Sequence, residues 1–275
     1  MEYSHDDLRR VLVKVAGEAA GFLRDIACTG KAIERVGEET FKADLESEAY
    51  IIDALIHEGV SGRFVTEEAG VVETTKGDFT VLIDPLDGSR NYANCIPWSS
   101  VSIAVASKQA KSIDDVVAGV VQPIFYGYPM SFTPEKCYLG GTPIEKLGDS
   151  ERFLYVYVEH PEAAVKLADI IAILGRGMKI RSLGSAALEI AYVAVGRGKA
   201  FIDLRSKLRN IDVAASIGLV NGCGGDYLGP GGVRPFIGIS RVEPIGTLAV
   251  FSHDVERDSI EAIRRGPLSS AGQSP

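Results

Sequence analysis

The sequence predicts an α+β first half joined to an α/β second half. Three observations carry that prediction. Apolar residues near the N-terminus recur at helical spacing, strand-like runs dominate residues 79–125, and strand and helix patterns alternate from residue 153 onward. The boundary is expected near residue 140, giving an α+β unit over 1–140 and an α/β unit over 141–275.

In order along the chain, Leu8, Val11, Leu12, Val15, Ala19, Phe22, Leu23 and Ile26 follow i, i+3, i+4 spacing and predict an amphipathic first helix. Residues 28–39 are charged and contain Gly30 and Gly37, the composition of a mobile connection able to serve as a flap. A second helix is expected from Asp44 to Glu58, burying Ile51, Ile52, Leu55 and Ile56. Phe79–Ile83 reads as a short apolar strand, and Ser99–Ala106 as a strand with Val101, Ile103 and Val105 on one face. Val116–Gln122 and the neighbourhood of Phe125 read as the next two strands. Pro129, Pro134, Pro143 and four glycines within 127–150 predict turns and a change of subdomain. The second half then reads as strand 153–158, helix 162–174, strand 178–181, helix 185–195, strand 200–203 and helix 212–220. The tail after Gly266 has the composition of a disordered segment.

Composition narrows the function classes. At 275 residues, with 46% hydrophobic and 24% charged, the chain is long enough and apolar enough for a substantial core. No apolar run approaches the ~18 residues a membrane span needs. The opening Met1-Glu2-Tyr3-Ser4 has no basic or apolar region of a secretory signal, so a cytoplasmic location is expected. A net charge of −8 lacks the basic footprint of a nucleic-acid binder. Cys28, Cys95, Cys137 and Cys223 form no Cys-x-x-Cys, and they read as buried free thiols of a reducing compartment. Only seven Asn plus Gln, with 17 Arg against 12 Lys, give the chain a thermophilic cast. The four histidines show no metal-ligand spacing.

The chemistry concentrates in Asp84-Pro85-Leu86-Asp87-Gly88-Ser89, directly after an apolar strand. Two carboxylates at a strand end, followed by Gly-Ser, suit a hard cation. Gly88 and Ser89 can open a helix whose free N–H groups face an anion. Glu67-Glu68 precedes this run, Asp212 opens a late helix, and Asp44 with Glu48 starts the second helix. Each of these acidic pieces has a structural reading as a cap or a solvated turn. Trp98 reads as packing behind the Asp-Gly-Ser turn, and Tyr155 and Tyr157 as strand residues near a substrate side or an interface. There is no G-x-x-x-x-G-K-[ST] and no G-x-G-x-x-G.

Taken together, Glu67-Glu68, Asp84-Pro85-Leu86-Asp87-Gly88-Ser89, the Asp212-Val213-Ala214-Ala215 helix, Lys42-Ala43-Asp44 with Glu48, and Gly184-Ser185-Ala186-Ala187 resemble the inositol monophosphatase superfamily of metal-dependent, lithium-sensitive sugar phosphatases. The resemblance spans roughly residues 8–226. It implies a layered αβαβα fold, a homodimer, and two or three Mg²⁺ ions per site, with Mn²⁺ as a substitute. Glu67, Asp84 and the Leu86 carbonyl would hold one ion, and Asp84, Asp87 and Asp212 the second. A third would sit near Glu67, beside a flap over residues 28–42. Ser89, hydrogen-bonded to Asp44, would orient or deprotonate the attacking water, with Glu67 in the catalytic set. Gly88 and Ser89 would bind phosphate. Ser89 stands where threonine is usual and keeps the hydroxyl; Ile211 replaces a common tryptophan before Asp212.

For the substrate, the resemblance points to Gly184, Ser185 and Ala186 as a phosphosugar-facing turn. Arg205 stands where animal relatives commonly carry a glutamate, seven residues before Asp212. A guanidinium can clamp a second phosphate, which resembles the archaeal and bacterial branch with dual fructose-1,6-bisphosphatase and inositol-1-phosphatase activity. Arg176, Lys179 and Arg181 are further anion candidates. Two alternatives from the same superfamily are a 3′-phosphoadenosine 5′-phosphate phosphatase and an NADP phosphatase. A third is a non-catalytic phosphosugar-binding regulator, which would be expected to lose metal carboxylates; Glu67, Asp84, Asp87 and Asp212 are all present.

Overall fold

In a computed structural model the described residues are 3–30, 34–36 and 41–269. Parts of the expected flap (31–33 and 37–40) and of the expected disordered tail (270–275) lie outside them. Two sheets and three layers of helix build the chain. The first sheet contains β1 (Gly62–Thr66), β2 (Gly70–Glu73), β3 (Phe79–Asp87), β4 (Ser100–Ser107), β5 (Val116–Pro123), β6 (Met130–Thr133), β7 (Lys136–Leu139) and β8 (Thr142–Pro143). Its order is β2-β1-β3-β4-β5-β6-β7-β8. The second contains β9 (Phe153–Tyr157), β10 (Lys179–Arg181), β11 (Ala200–Arg209), β12 (Asp226–Leu228) and β13 (Pro244–Phe251), in the order β10-β9-β11-β13-β12.

Helix α1 (His5–Ile26) and helix α2 (Lys42–His57) cover one face of the first sheet. Ser4 caps α1 in a reciprocal box with Asp7, and Leu12, Val15, Ala19 and Leu23 face inward. Helix α5 (Ala186–Ala194) and helix α6 (Asn210–Gly222) fill the space between the sheets, which is why both are apolar on nearly every side. Helix α4 (Pro161–Leu174) and helix α7 (Arg257–Arg265) close the outer face of the second sheet. The layering is therefore helix, sheet, helix, sheet, helix. A short helix, α3 (Ser89–Ala93), follows β3 directly.

Several elements depart from the sequence reading, each for a physical reason. Phe125 lies in a turn, and 127–150 holds three short strands at the sheet edge, where prolines and glycines are tolerated. The strand expected at 200–203 runs on to Arg209 through a register shift between Asp203 and Leu208. In α2, Ile51 and Leu55 are buried as expected, but Ile56 is exposed, and apart from Ala43 the rest of the inward face is polar: Asp44, Ser47 and Glu48. The four cysteines are not all free. Cys28 and Cys95 form a disulfide with Cα atoms 5.3 Å apart, across 67 residues of sequence, leaving Cys137 and Cys223 as thiols. Both half-cystines have φ of 59° and sit just past the ends of α1 and α3, where the chain turns sharply. Spacing along the sequence carries no sign of that meeting.

Candidate functional site

The site lies where β1 and β3 end, against the middle helices. β1 runs parallel to β3, with Thr66 opposite Ile83, so Glu67, just past β1, and Asp84, still paired within β3, come side by side. Asp84 pairs with Ser102 and Asp87 with Ser100 on β4, so three residues of β3 span two of β4. That is a β-bulge at Pro85-Leu86, where proline cannot donate to the ladder. Without it, residues three apart on a strand would point to opposite faces. The extra residue turns both carboxylates toward the same cavity. Gly88 then takes φ of +83°, and a Cβ there would stand 2.9 Å from the Gly184 carbonyl and 3.1 Å from that of Trp98. Only glycine fits this turn.

A cavity of about 760 Å³ is lined by Glu67, Asp84, Leu86, Asp87, Gly88, Ser89 and Asp212, together with Tyr157, Gly184, Ala186, Arg205, Lys207 and Arg209. Asp212 is the third residue of α6 and accepts the Arg209 N–H at 2.8 Å, closing the helix start. Glu48, on the polar face of α2, accepts the N–H groups of Glu68 and Ala69, both at 2.9 Å, and so fixes the turn that carries Glu67. Asn91 donates to the Leu183 carbonyl at 2.6 Å and to that of Trp98 at 2.8 Å, tying α3 to the Gly184 turn.

Burial raises the pKa of Glu67, Asp84, Asp87, Asp212 and Asp44. For Asp84 the raise is large, and the neighbouring charges of Glu67, Asp87 and Asp212 add to it. Asp87 is pushed up to about 7 by burial and by Asp212, against hydrogen bonds from Ser185, Ala187 and Ala186. Glu67 and Asp212 are raised by burial and held down in part by Arg209. Asp44 rises to about 7 through burial, opposed by its bond from the Phe41 N–H.

These residues suit a hard cation. All the donors are oxygens, and Asp84 is 2% exposed with only the Leu86 N–H, at 3.2 Å, bonded to its carboxylate among the described residues. A buried carboxylate without a counter-charge is costly, and a divalent ion removes that cost. Among the described residues no three acidic, Cys or His side chains stand as a ready-made cage. Asp87 is drawn onto the N-terminus of α5, and Arg209 lies between Glu67 and Asp212.

Residues 4–251 match the inositol monophosphatase family. The chain belongs to that family. An inositol-1-monophosphatase of Aeropyrum pernix is 44% identical over 248 residues, which cover 88% of this chain and 92% of that protein. A fructose-1,6-bisphosphatase/inositol-1-monophosphatase of Thermococcus kodakarensis is 29% identical over 250 residues, 87% of this chain and 90% of that one. The structure of a Pyrococcus horikoshii protein with similarities to inositol-1 monophosphatase superposes with a TM-score of 0.79 at 26% identity, covering 95% of this chain and 98% of the other. The fold is that of the family, and the protein is a metal-dependent phosphatase.

Within this family member the residues read from sequence divide into three groups. Glu67, Asp84, Leu86, Asp87, Gly88, Ser89, Gly184, Ala186, Arg205 and Asp212 line one cavity. Asp44, Ser185 and, within the cavity, Arg205 have partners that differ from expectation. No hydrogen bond joins Ser89 to Asp44 among the described residues, because the Asp44 carboxylate is turned back to cap α2 at the Phe41 N–H, 2.9 Å away. Ser185 is fully buried and donates to Asp87. Arg205 is paired with the fully buried Asp203 at 2.6 Å and stacks on Tyr157 at 4.0 Å. The remaining candidates stand elsewhere: Arg181 and Lys179 lie over the Phe153 ring, and Arg176 is in the turn before β10. Sequence reasoning passed over Asn91, Asp203 and Arg209, and left Tyr157 unassigned. Tyr157 accepts the Gly184 N–H at 2.7 Å, so it holds the Gly184 turn. Arg209 had a usable signal: a basic residue three before an Asp at a helix start.

Proposed function

We propose that the chain is a Mg²⁺-dependent phosphate monoester hydrolase acting on inositol 1-phosphate and fructose 1,6-bisphosphate by direct in-line attack of water. The observation that carries the reading is the meeting of Glu67, Asp84, Asp87 and Asp212 with the Gly88-Ser89 turn in one cavity. The name of the Aeropyrum pernix relative puts inositol 1-phosphate first, and that of the Thermococcus kodakarensis relative adds fructose 1,6-bisphosphate.

Glu67, Asp84 and the Leu86 carbonyl would hold one Mg²⁺, and Asp84, Asp87 and Asp212 a second. Bound there, the ions supply a lowered pKa for water and charge stabilisation at the leaving oxygen. The chain does the rest. The N–H groups that open α3 after Gly88 take phosphate oxygens. Ser89 orients the attacking water, and Glu67 orients it and accepts its proton. Tyr157 keeps the Gly184 turn against the polyol, and Arg205 and Lys207 face the substrate's distal end. Asp203 already occupies the Nε and one Nη of Arg205, and Glu159 pairs with the exposed Lys207 at 2.6 Å, so each keeps only part of its donor set for a second phosphate.

The test is phosphate release with and without Mg²⁺ from inositol 1-phosphate, fructose 1,6-bisphosphate, 3′-phosphoadenosine 5′-phosphate and NADP. Release from the first two, abolished by Asp87→Asn, is expected. Release confined to the nucleotides would replace the substrate assignment, and no release with any divalent ion would leave the regulator reading.

A further inference from the structure

Arg209 occupies an unusual place for a cation. Its Nη2 is 2.7 Å from Glu67 Oε1 and 3.0 Å from Asp212 Oδ1, and its Nε is 3.2 Å from the same Asp212 oxygen. One guanidinium thus bridges two carboxylates delivered by different parts of the fold, β1 and α6. Its side chain is about one-third exposed along the cavity wall, so it has open space to swing into.

We infer that Arg209 is a built-in counter-ion for the Glu67–Asp212 pair: it neutralises the pair in the metal-free protein, competes with the entering divalent cation, and is released into the substrate cavity when that cation binds. The inference rests on the proposed metal role of Glu67 and Asp212. Two positive charges cannot share these oxygens without repulsion, so one must leave. The arginine is tethered by the chain at the N-terminus of α6 and leaves only as far as its side chain reaches. The freed guanidinium then adds positive charge beside the arriving phosphate, where a planar fork of donors suits its oxygens. Arg209 is a positioning residue for the metal site, and it touches substrate only after that exchange.

A residue that merely shaped the site would, on removal, weaken metal binding. A competitor's removal strengthens it. The experiment is calorimetric titration of metal-free protein with Mg²⁺ for wild type, Arg209→Met, Arg209→Lys and Asp87→Asn. Loss of one charge this close to the ligands predicts Mg²⁺ binding on the order of tenfold tighter in Arg209→Met. Arg209→Lys keeps the charge but cannot bridge both carboxylates in the same way, so it should fall between. The metal-free melting temperature of Arg209→Met should drop while the upward shift produced by Mg²⁺ grows. Should the methionine variant not fold without metal, the lysine variant decides. Unchanged or weaker Mg²⁺ binding in the folded variant overturns the inference. Asp87→Asn separates this from a failure of the metal assignment itself: undiminished Mg²⁺ affinity there would reject the site, whereas weakened affinity there with no gain at Arg209 would reject only the counter-ion.

Discussion

Replacing Glu48 by glutamine tests whether the Glu67 turn is held from α2. The Glu48 side chain is 4% exposed and accepts two backbone N–H groups at 2.9 Å, those of Glu68 and Ala69. Glutamine has nearly the same volume but only one acceptor oxygen, and its amide donor faces the second N–H. One hydrogen bond to a carboxylate is lost and a buried donor is left opposed, together worth about 2–4 kcal/mol. For a chain of this size that lowers the melting temperature by about 5–10 °C. The turn also delivers Glu67, so the rise in melting temperature on adding Mg²⁺ should shrink. Thermal unfolding of Glu48→Gln and wild type, each with chelator and with saturating Mg²⁺, reads both effects. A melting temperature within about 1 °C of wild type in both conditions would show that the turn does not depend on Glu48, and the argument for α2 as the support of the site would fail.

Breaking the Cys28–Cys95 disulfide, by reductant or by Cys28→Ser with Cys95→Ser, removes a cross-link over 67 residues and should lower stability by about 4 kcal/mol in the chain-entropy model; denaturant titration measures it, and an unchanged midpoint would contradict the cross-link. Gly88→Ala places a Cβ 2.9 Å from the Gly184 carbonyl at φ of +83°, costing about 2–5 kcal/mol; phosphate release should fall with the melting temperature. Glu189 is raised to about 8 by burial, against bonds from Tyr157 and the Leu183 N–H. The folded protein then holds a proton the unfolded chain gives up, so stability falls as pH rises from the ordinary glutamate range toward 8. Glu189→Gln should flatten that slope in melts between pH 5 and 9, and an unaltered slope would assign it to other groups.

Much of this was legible in the sequence, and what was hidden has a common cause. The apolar period of α1 and the strand before Asp84 report local rules, and local rules hold where an element covers a single face. α5 and α6 are covered on both sides, so they read as apolar segments without a direction, and the layer they form becomes visible only once two sheets enclose them. The acidic residues were identifiable by type and order, yet how they meet was not. Pro85 shows this best: proline at that position is legible, but that its bulge turns Asp87 to the side of Asp84 depends on pairing with Ser100 and Ser102. Glu48, Asn91 and Cys95 act across distances of 20 to 92 residues, and no periodicity reports such contacts.

The polar inward face of α2, the Pro85 bulge, the closed start of α6 and the Asp87 contacts on α5 are parts of one arrangement. Each holds a carboxylate in the interior where burial alone would protonate it, and each gives that carboxylate partners that leave part of its charge uncompensated. Asp87 has amides and a serine, Glu67 and Asp212 share one arginine, and Asp84 has a single backbone N–H from its own loop. A strong, fully buried ion pair would satisfy these groups too well to release them. Such partners leave the metal-free fold intact while keeping an electrostatic demand that the proposed divalent ion would meet. The formal charge of −8 therefore includes carboxylates whose negative charge is largely withheld until a cation arrives. On the proposed reading, the incoming phosphate would then meet a wall that metal, the opening of α3 and a released guanidinium had made positive.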